Sequence, residues 1–240
     1  MARSRYKRRV AGFIIKTLGS LVIITILGIL VWRMIDSNND PKAVDTITPN
    51  DRLADAYAEK GKDLNIYYQE HTKYTRGENN YGYFSITQSI IIDDIDQIQF
   101  VFRYNNSTLK HTQKDYGLTS TPSRDANVYD VTLMVMYDLT PDDKTDNDGS
   151  NKETVEYKRF FPSDCVSAQK TLYNYRRYTF DGIKIDDTVL AVYADFYYVG
   201  DVNYEKDPYG SLLVYYYEEE CIDYKLTRRD IKAIEAYIKD

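Results

Sequence analysis

Hydrophobic and polar positions follow three different rhythms along the chain. Residues 10–32, VAGFIIKTLGSLVIITILGILVW, are apolar on every side of a helix and interrupted by Lys16 alone. At 1.5 Å per residue such a helix covers about 35 Å, enough for a hydrocarbon core of about 30 Å. Lys16 lies near the basic end of the stretch, where its methylenes can follow the helix while the ammonium reaches the headgroups. The pattern predicts a transmembrane helix over 10–32.

The rhythm then breaks. Residues 33–80 are mixed and polar and read as a stalk that begins with the turn-rich run from Asp36 to Pro41. One short helix is expected within it, near 48–60, with Thr48 as cap, Pro49 at the first helical position, Asp51 in the positive first turn and Gly61 closing the end.

From Tyr81 apolar residues recur at every second position. Phe84, Ile86, Ile90 and Ile92 are expected on one strand face; Ile98, Phe100, Phe102 and Tyr104 alternate with Gln97, Gln99, Arg103 and Asn105, the pattern of a strand with one wet face. Val131 to Leu139, Val155 to Phe161, Leu172 to Phe180, Leu190 to Tyr198 and Leu212 to Leu226 complete about seven strands, joined by turn signals such as Asp181-Gly182 and Pro208-Tyr209-Gly210. No helical pattern of ten or more residues is expected between them, which excludes a βαβ parallel sheet. The expected fold class is all-β, an antiparallel immunoglobulin-like β-sandwich over 81–226. The alternative is an open antiparallel α+β sheet covered by helices. Residues 227–240 form an amphipathic C-terminal helix, with a cap-like start from Thr227 to Asp230 and one apolar face of Ile231, Ile234, Tyr237 and Ile238. The tryptophan-between-cysteines hallmark of antibody domains is missing, since the single tryptophan is Trp32.

Charge orients this arrangement. The first 32 residues hold Arg3, Arg5, Lys7, Arg8, Arg9 and Lys16 and no acid, leaving 25 basic against 37 acidic residues beyond them, a net −12. The basic tail, 1–9, is expected in the cytoplasm, with the bulk of the chain outside the plasma membrane. The exit Val31-Trp32-Arg33-Met34-Ile35 lacks a small-residue cleavage site, so the span is an uncleaved, single-pass signal anchor whose partner is membrane lipid. An exterior this acidic argues against nucleic acid.

Candidate chemistry is sparse. In the loop 141–153, Asp142, Asp146 and Asp148 alternate before Gly149 and are weak candidate calcium ligands, but an EF-hand register puts Lys144 first and Val155 twelfth, where Asp and Glu are needed. Cys165 and Cys221, the two cysteines, can pair as a disulfide outside the cell. His71 and His111 belong to no metal or catalytic arrangement, and no nucleophile elbow, phosphate loop or C-x-x-C occurs. Asp93-Asp94 and Asp186-Asp187 are paired acids of the type a hydrolase uses, with nothing to select them. Asn105-Asn-Ser107 and Asn106-Ser-Thr108 fit the N-glycosylation pattern. No cofactor is expected.

The chain is rich in tyrosine, 25 against 8 phenylalanines. Tyr173 and Tyr175, Tyr193 and Tyr197, and Tyr215 and Tyr217 fall in pairs on single strand faces and together are expected to form an outward aromatic ladder suited to a sugar ring, a peptide or a partner sheet. The functional reading is a non-enzymatic, membrane-anchored binding or assembly module for a protein or cell-wall glycan. An extracytoplasmic hydrolase and an accessory subunit of a larger membrane complex are the alternatives.

Overall fold

The computed structural model describes residues 2–38, 41–70, 84–139 and 154–239. The candidate calcium ligands Asp142, Asp146 and Asp148, and His71, lie outside the described residues. The chain divides into two compact units, Met1–Asn39 and Asp40–Asp240.

The first unit is one helix, α1 (Ala2–Asn38), which runs past both ends of the expected span. Its segment Lys16–Asp36 is long and apolar enough to cross a membrane, and its apolar side chains from Leu18 to Ile35 are exposed.

The second unit is mostly β. Its described strands are β1 (Ile66–Tyr68), β2 (Ser85–Ile92), β3 (Gln97–Asn105), β4 (Tyr129–Asp138), β5 (Val155–Phe160), β6 (Asp164–Gln169), β7 (Tyr173–Asp181), β8 (Val189–Tyr198), β9 (Gly210–Tyr216) and β10 (Ile222–Asp223). Three helices accompany them: α2 (Asp51–Lys60), α3 (Asn106–Asp115) and α4 (Arg228–Lys239). The strands form two antiparallel sheets, one in the order β10-β1-β2-β3-β7-β6 and one in the order β5-β4-β8-β9. Their inner faces share one core, in which Phe102 lies 4.3 Å from Phe196 between ring centroids and Phe84 stacks on Phe196 at 5.2 Å. This is a two-layer β-sandwich.

Three expected strand assignments change. β1 lies in the segment read as stalk, too short to show a period. β6 has no apolar face to announce it, and the run 212–226 is two strands, divided by a turn at 217–221. The expected shared face of Phe84, Ile86, Ile90 and Ile92 is also divided. In β2, Ile86 pairs with Phe102 but Gln88 with Val101, so Thr87 is an extra residue. This bulge sends Phe84 and Ile86 into the sandwich and Ile90 and Ile92 to the opposite face.

That opposite face is not wet. Residues 41–60 and α4 lie over it, burying Val44, Ile47, Leu53 and Ile234 with Ile66, Ile90 and Ile92. Gln97 and Gln99, expected in solvent, are fully buried. Gln99 takes both backbone groups of Thr48, accepting from its N–H at 2.9 Å and donating to its carbonyl at 2.8 Å. Thr48 is therefore used by the sheet. The cap of α2 is Asn50, whose side chain accepts from Leu53 N–H at 2.9 Å, while Gly61, at φ +63°, closes the other end. The largest fully buried side chain is Arg177, which donates from Nε to the Val44 carbonyl at 3.0 Å and from its terminal nitrogens to Gln99 and Gln88. Contrary to the expectation of no helix between the strands, the ten-residue α3 separates β3 from β4, and it follows β3 directly because Asn105 and Thr108 form a reciprocal capping box.

Candidate binding face

The outer face of the four-stranded sheet follows from its register. Val131, Leu133 and Val135 of β4 point into the core, so the alternating residues Asp130, Thr132, Met134 and Met136 point away from it. Cross-strand pairing then places Tyr197 beside Asp130, Asp195 beside Thr132, Tyr193 beside Met134 and Ala191 beside Met136. On one flank β5 adds Arg159 next to Met134 and Tyr157 next to Met136; on the other β9 adds Ser211, Leu213 and Tyr216. The face thus has an apolar half of Tyr157, Met136, Met134, Tyr193, Leu213 and Tyr216. Its Tyr157 is 61% exposed and the others are half-buried.

The other half is polar and tightly bonded. Arg159 donates to the Tyr204 carbonyl at 2.6 Å and to the Tyr197 hydroxyl at 3.1 Å, and its guanidinium lies over both rings. Tyr204 packs edge-on against Tyr197 and Phe161 and donates its hydroxyl to Asp130, so the loop 199–209 is held down on the sheet. Burial, with the Asp130 carboxylate, pushes the Tyr204 hydroxyl up to about 12. Asp195 is buried beneath this group; burial raises its carboxyl above the ordinary range, opposed by the Ser211 hydroxyl at 2.7 Å and by Arg159. The neighbouring Thr132 hydroxyl is fully buried and makes no hydrogen bond.

The six tyrosines expected as one ladder are divided between the two sheets. Tyr173 and Tyr175 belong to the six-stranded sheet, where Tyr175 is fully buried with Val44 and Val101. Tyr193 and Tyr197 lie on the face just described. Tyr215 sits after a bulge in β9 and packs on the sandwich core, and Tyr217 is exposed beyond the strand end. Sequence alternation places Tyr193 and Tyr197 together, with Asp195 between them on the same face; Arg159 and Tyr204 join them through strand register and a loop contact, which no local spacing announces.

Cys165 and Cys221 are free thiols. Cys165 is in β6 and Cys221 directly precedes β10, the two outermost strands of a six-stranded sheet. Five strand spacings make about 24 Å, against a Cα separation of at most about 7 Å for a disulfide. The paired acids serve turns. Burial works against the ionised form of Asp94, yet the Lys60 ammonium at 2.6 Å and the Asn65 N–H hold its carboxyl below the ordinary range; the Thr188 hydroxyl and amide do the same for Asp186. Asn105 of the first glycosylation pattern spends its side chain on capping α3, and Thr108 of the second is fully buried. His111 lies within α3. No cluster of three or more His, Cys, Asp or Glu side chains suited to a metal ion occurs among the described residues. A shallow cleft of about 440 Å³ is lined by Asp45, Gln88, Tyr224, Thr227, Arg228 and Arg229, with Arg229 paired to Asp45.

No protein-family model, curated protein or solved structure matches this chain.

Proposed function

We propose that the protein is a single-pass, plasma-membrane-anchored binding module, with its basic N-terminus cytoplasmic and its β-sandwich outside. It acts without catalysis, through the outer face of the β5-β4-β8-β9 sheet, on a protein or cell-wall glycan. The observation that carries this reading is the adjoining of an apolar, methionine- and tyrosine-rich half, suited to an adaptable contact, with a rigid arginine–tyrosine–aspartate half that fixes polar geometry. The basic tail and the apolar α1 support the membrane anchor and its orientation.

An immunoglobulin-like sandwich is the finer fold reading, and strand order supports it. Taking β2, β3, β4, β5, β6, β7, β8 and β9 as strands A, B, C, C′, D, E, F and G gives one sheet ordered A-B-E-D and the other C′-C-F-G. In that scheme β1 and β10 extend the A edge.

The test places a photoreactive amino acid at Met136 in the full chain in its native membranes, with the same group at Ser167 of β6 as control. Capture of a discrete protein or glycan from Met136 alone, lost when Tyr193→Ala and Leu213→Ala are added, is the expected result. Lipid only, or the same species from both positions, overturns the reading.

A further inference from the structure

We propose that β5 is a self-pairing edge. It joins β5 of a second copy about a two-fold axis at Tyr157 and extends the four-stranded sheet to an eight-stranded one across the two molecules.

The backbone sets the register. Among the described residues β5 is the outermost strand of its sheet, paired with β4 alone. The continuous β4–β5 register runs from Leu133 opposite Phe160 to Asp138 opposite Val155, and Leu139 N–H donates to the Thr154 carbonyl at 2.8 Å. In an antiparallel ladder the hydrogen-bonding residues alternate, so Thr154, Glu156, Lys158 and Phe160 turn their backbone groups toward β4. Val155, Tyr157 and Arg159 then present theirs to the open edge. A two-fold axis perpendicular to the sheet keeps outer face on outer face, and at Tyr157 it sets Tyr157 against Tyr157 and Val155 against Arg159 of the second copy as hydrogen-bonded pairs.

The side chains agree with that register. Glu156 falls opposite Lys158 of the second copy and Lys158 opposite its Glu156, so one strand supplies both halves of two cross-strand ion pairs. Glu156, Tyr157 and Lys158 are all exposed. The other sheet edges lack these properties. At β9, Gln69 holds both backbone groups of Tyr216, at 2.8 Å each; β10 has two residues; β6, DCVSAQ, carries one charge and nothing to pair with it. Pairing at β5 would also place two copies of the Met134–Tyr193 face side by side, giving a bivalent surface. The pairing itself does not depend on any ligand of that face.

The experiment uses the full chain in membranes with Cys165→Ser and Cys221→Ser. Tyr157→Cys puts two thiols on residues whose Cα atoms lie about 5.5 Å apart in a hydrogen-bonded pair, within disulfide reach. Mild oxidation is expected to give a covalent dimer from Tyr157→Cys and none from Ser167→Cys at the β6 edge. Glu156→Lys or Lys158→Glu is expected to lower the Tyr157→Cys dimer yield roughly fivefold, and the two together to restore it. Equal dimer yields at positions 157 and 167, or yields indifferent to the charge reversals, would overturn the proposal. A partner still captured from Met136 would then show that the binding reading stands without it.

Discussion

The Asp230 carboxylate accepts a hydrogen bond at 2.9 Å from the backbone N–H of Ile47, joining positions 183 residues apart. Its second oxygen accepts from Thr227 N–H at 2.8 Å, the Thr227 hydroxyl at 2.6 Å and the Tyr224 hydroxyl at 2.9 Å. One buried side chain thus caps α4 and ties it to the segment that precedes α2. Burial, reinforced by this carboxylate, pushes the Tyr224 hydroxyl well above its ordinary range and keeps it a donor.

Asp230→Ala should therefore cost more than a surface cap. It leaves the buried Ile47 N–H without its acceptor as well as uncapping the helix, a loss of about 3 kcal/mol. Asp230→Asn keeps one carbonyl acceptor and should cost about half as much. Urea unfolding of both variants measures the difference; equal losses would show that only the charge matters.

Arg177 tests the polar layer under the 41–60 segment. Arg177→Ala removes the donors to the Val44 carbonyl, Gln99 and Gln88 from a site with no solvent access, and should destabilise by about 3–5 kcal/mol. Double replacement Arg177→Met with Gln99→Leu removes both sides of one contact and should cost less than the sum of the single changes. Additive losses in denaturant unfolding would mean that the two side chains are not coupled.

How much of this was legible in the sequence differs by element. The apolar run 10–32 and the alternation in β3, β4 and β8 state their structure locally, because a period of two or an all-apolar stretch depends on neighbours in the chain. The wet face assigned to Gln97 and Gln99 failed because amide side chains read as solvent-facing unless the backbone that will cover them, here Thr48 some fifty positions away, is known. Thr48 was misassigned for the same reason: its residue type suits a cap, but Gln99 holds its backbone and Asn50 does the capping. The face around Arg159 was invisible because a guanidinium between Tyr197 and Tyr204 is a product of register and loop path.

Asp195 carries a pH dependence. Its carboxyl is raised above the ordinary value of 3.8, with burial as the first cause. The folded state therefore takes up its proton at higher pH than the unfolded chain does. Its contribution is fully favourable below the unfolded pKa and is lost as pH rises through the folded one. Asp195→Asn, which retains an acceptor for Ser211, should raise the Tm at pH 7 and lose that advantage as pH falls below the unfolded value. Parallel melting curves whose difference stays constant from pH 7 to pH 3 would count against this account.

The bulge at Thr87 sets the last prediction. Phe84 and Ile86 lie on the sandwich side of the six-stranded sheet, Ile90 and Ile92 on the α2–α4 side, and the single extra residue in the register between them makes both placements possible. Thr87 itself is exposed, so Thr87→Ala should change stability by less than about 0.5 kcal/mol. Deleting Thr87 restores a strict period of two and must turn one half of the strand over. Either Phe84 and Ile86 leave the main core or Ile90 and Ile92 leave the helix-covered face. Each pair of large apolar side chains contributes about 3–6 kcal/mol of burial, comparable with the whole stability of a domain. The deletion variant should lose its cooperative thermal transition while Thr87→Ala keeps it, and a deletion variant melting within a few degrees of the parent would show that the bulge is not what separates the two cores.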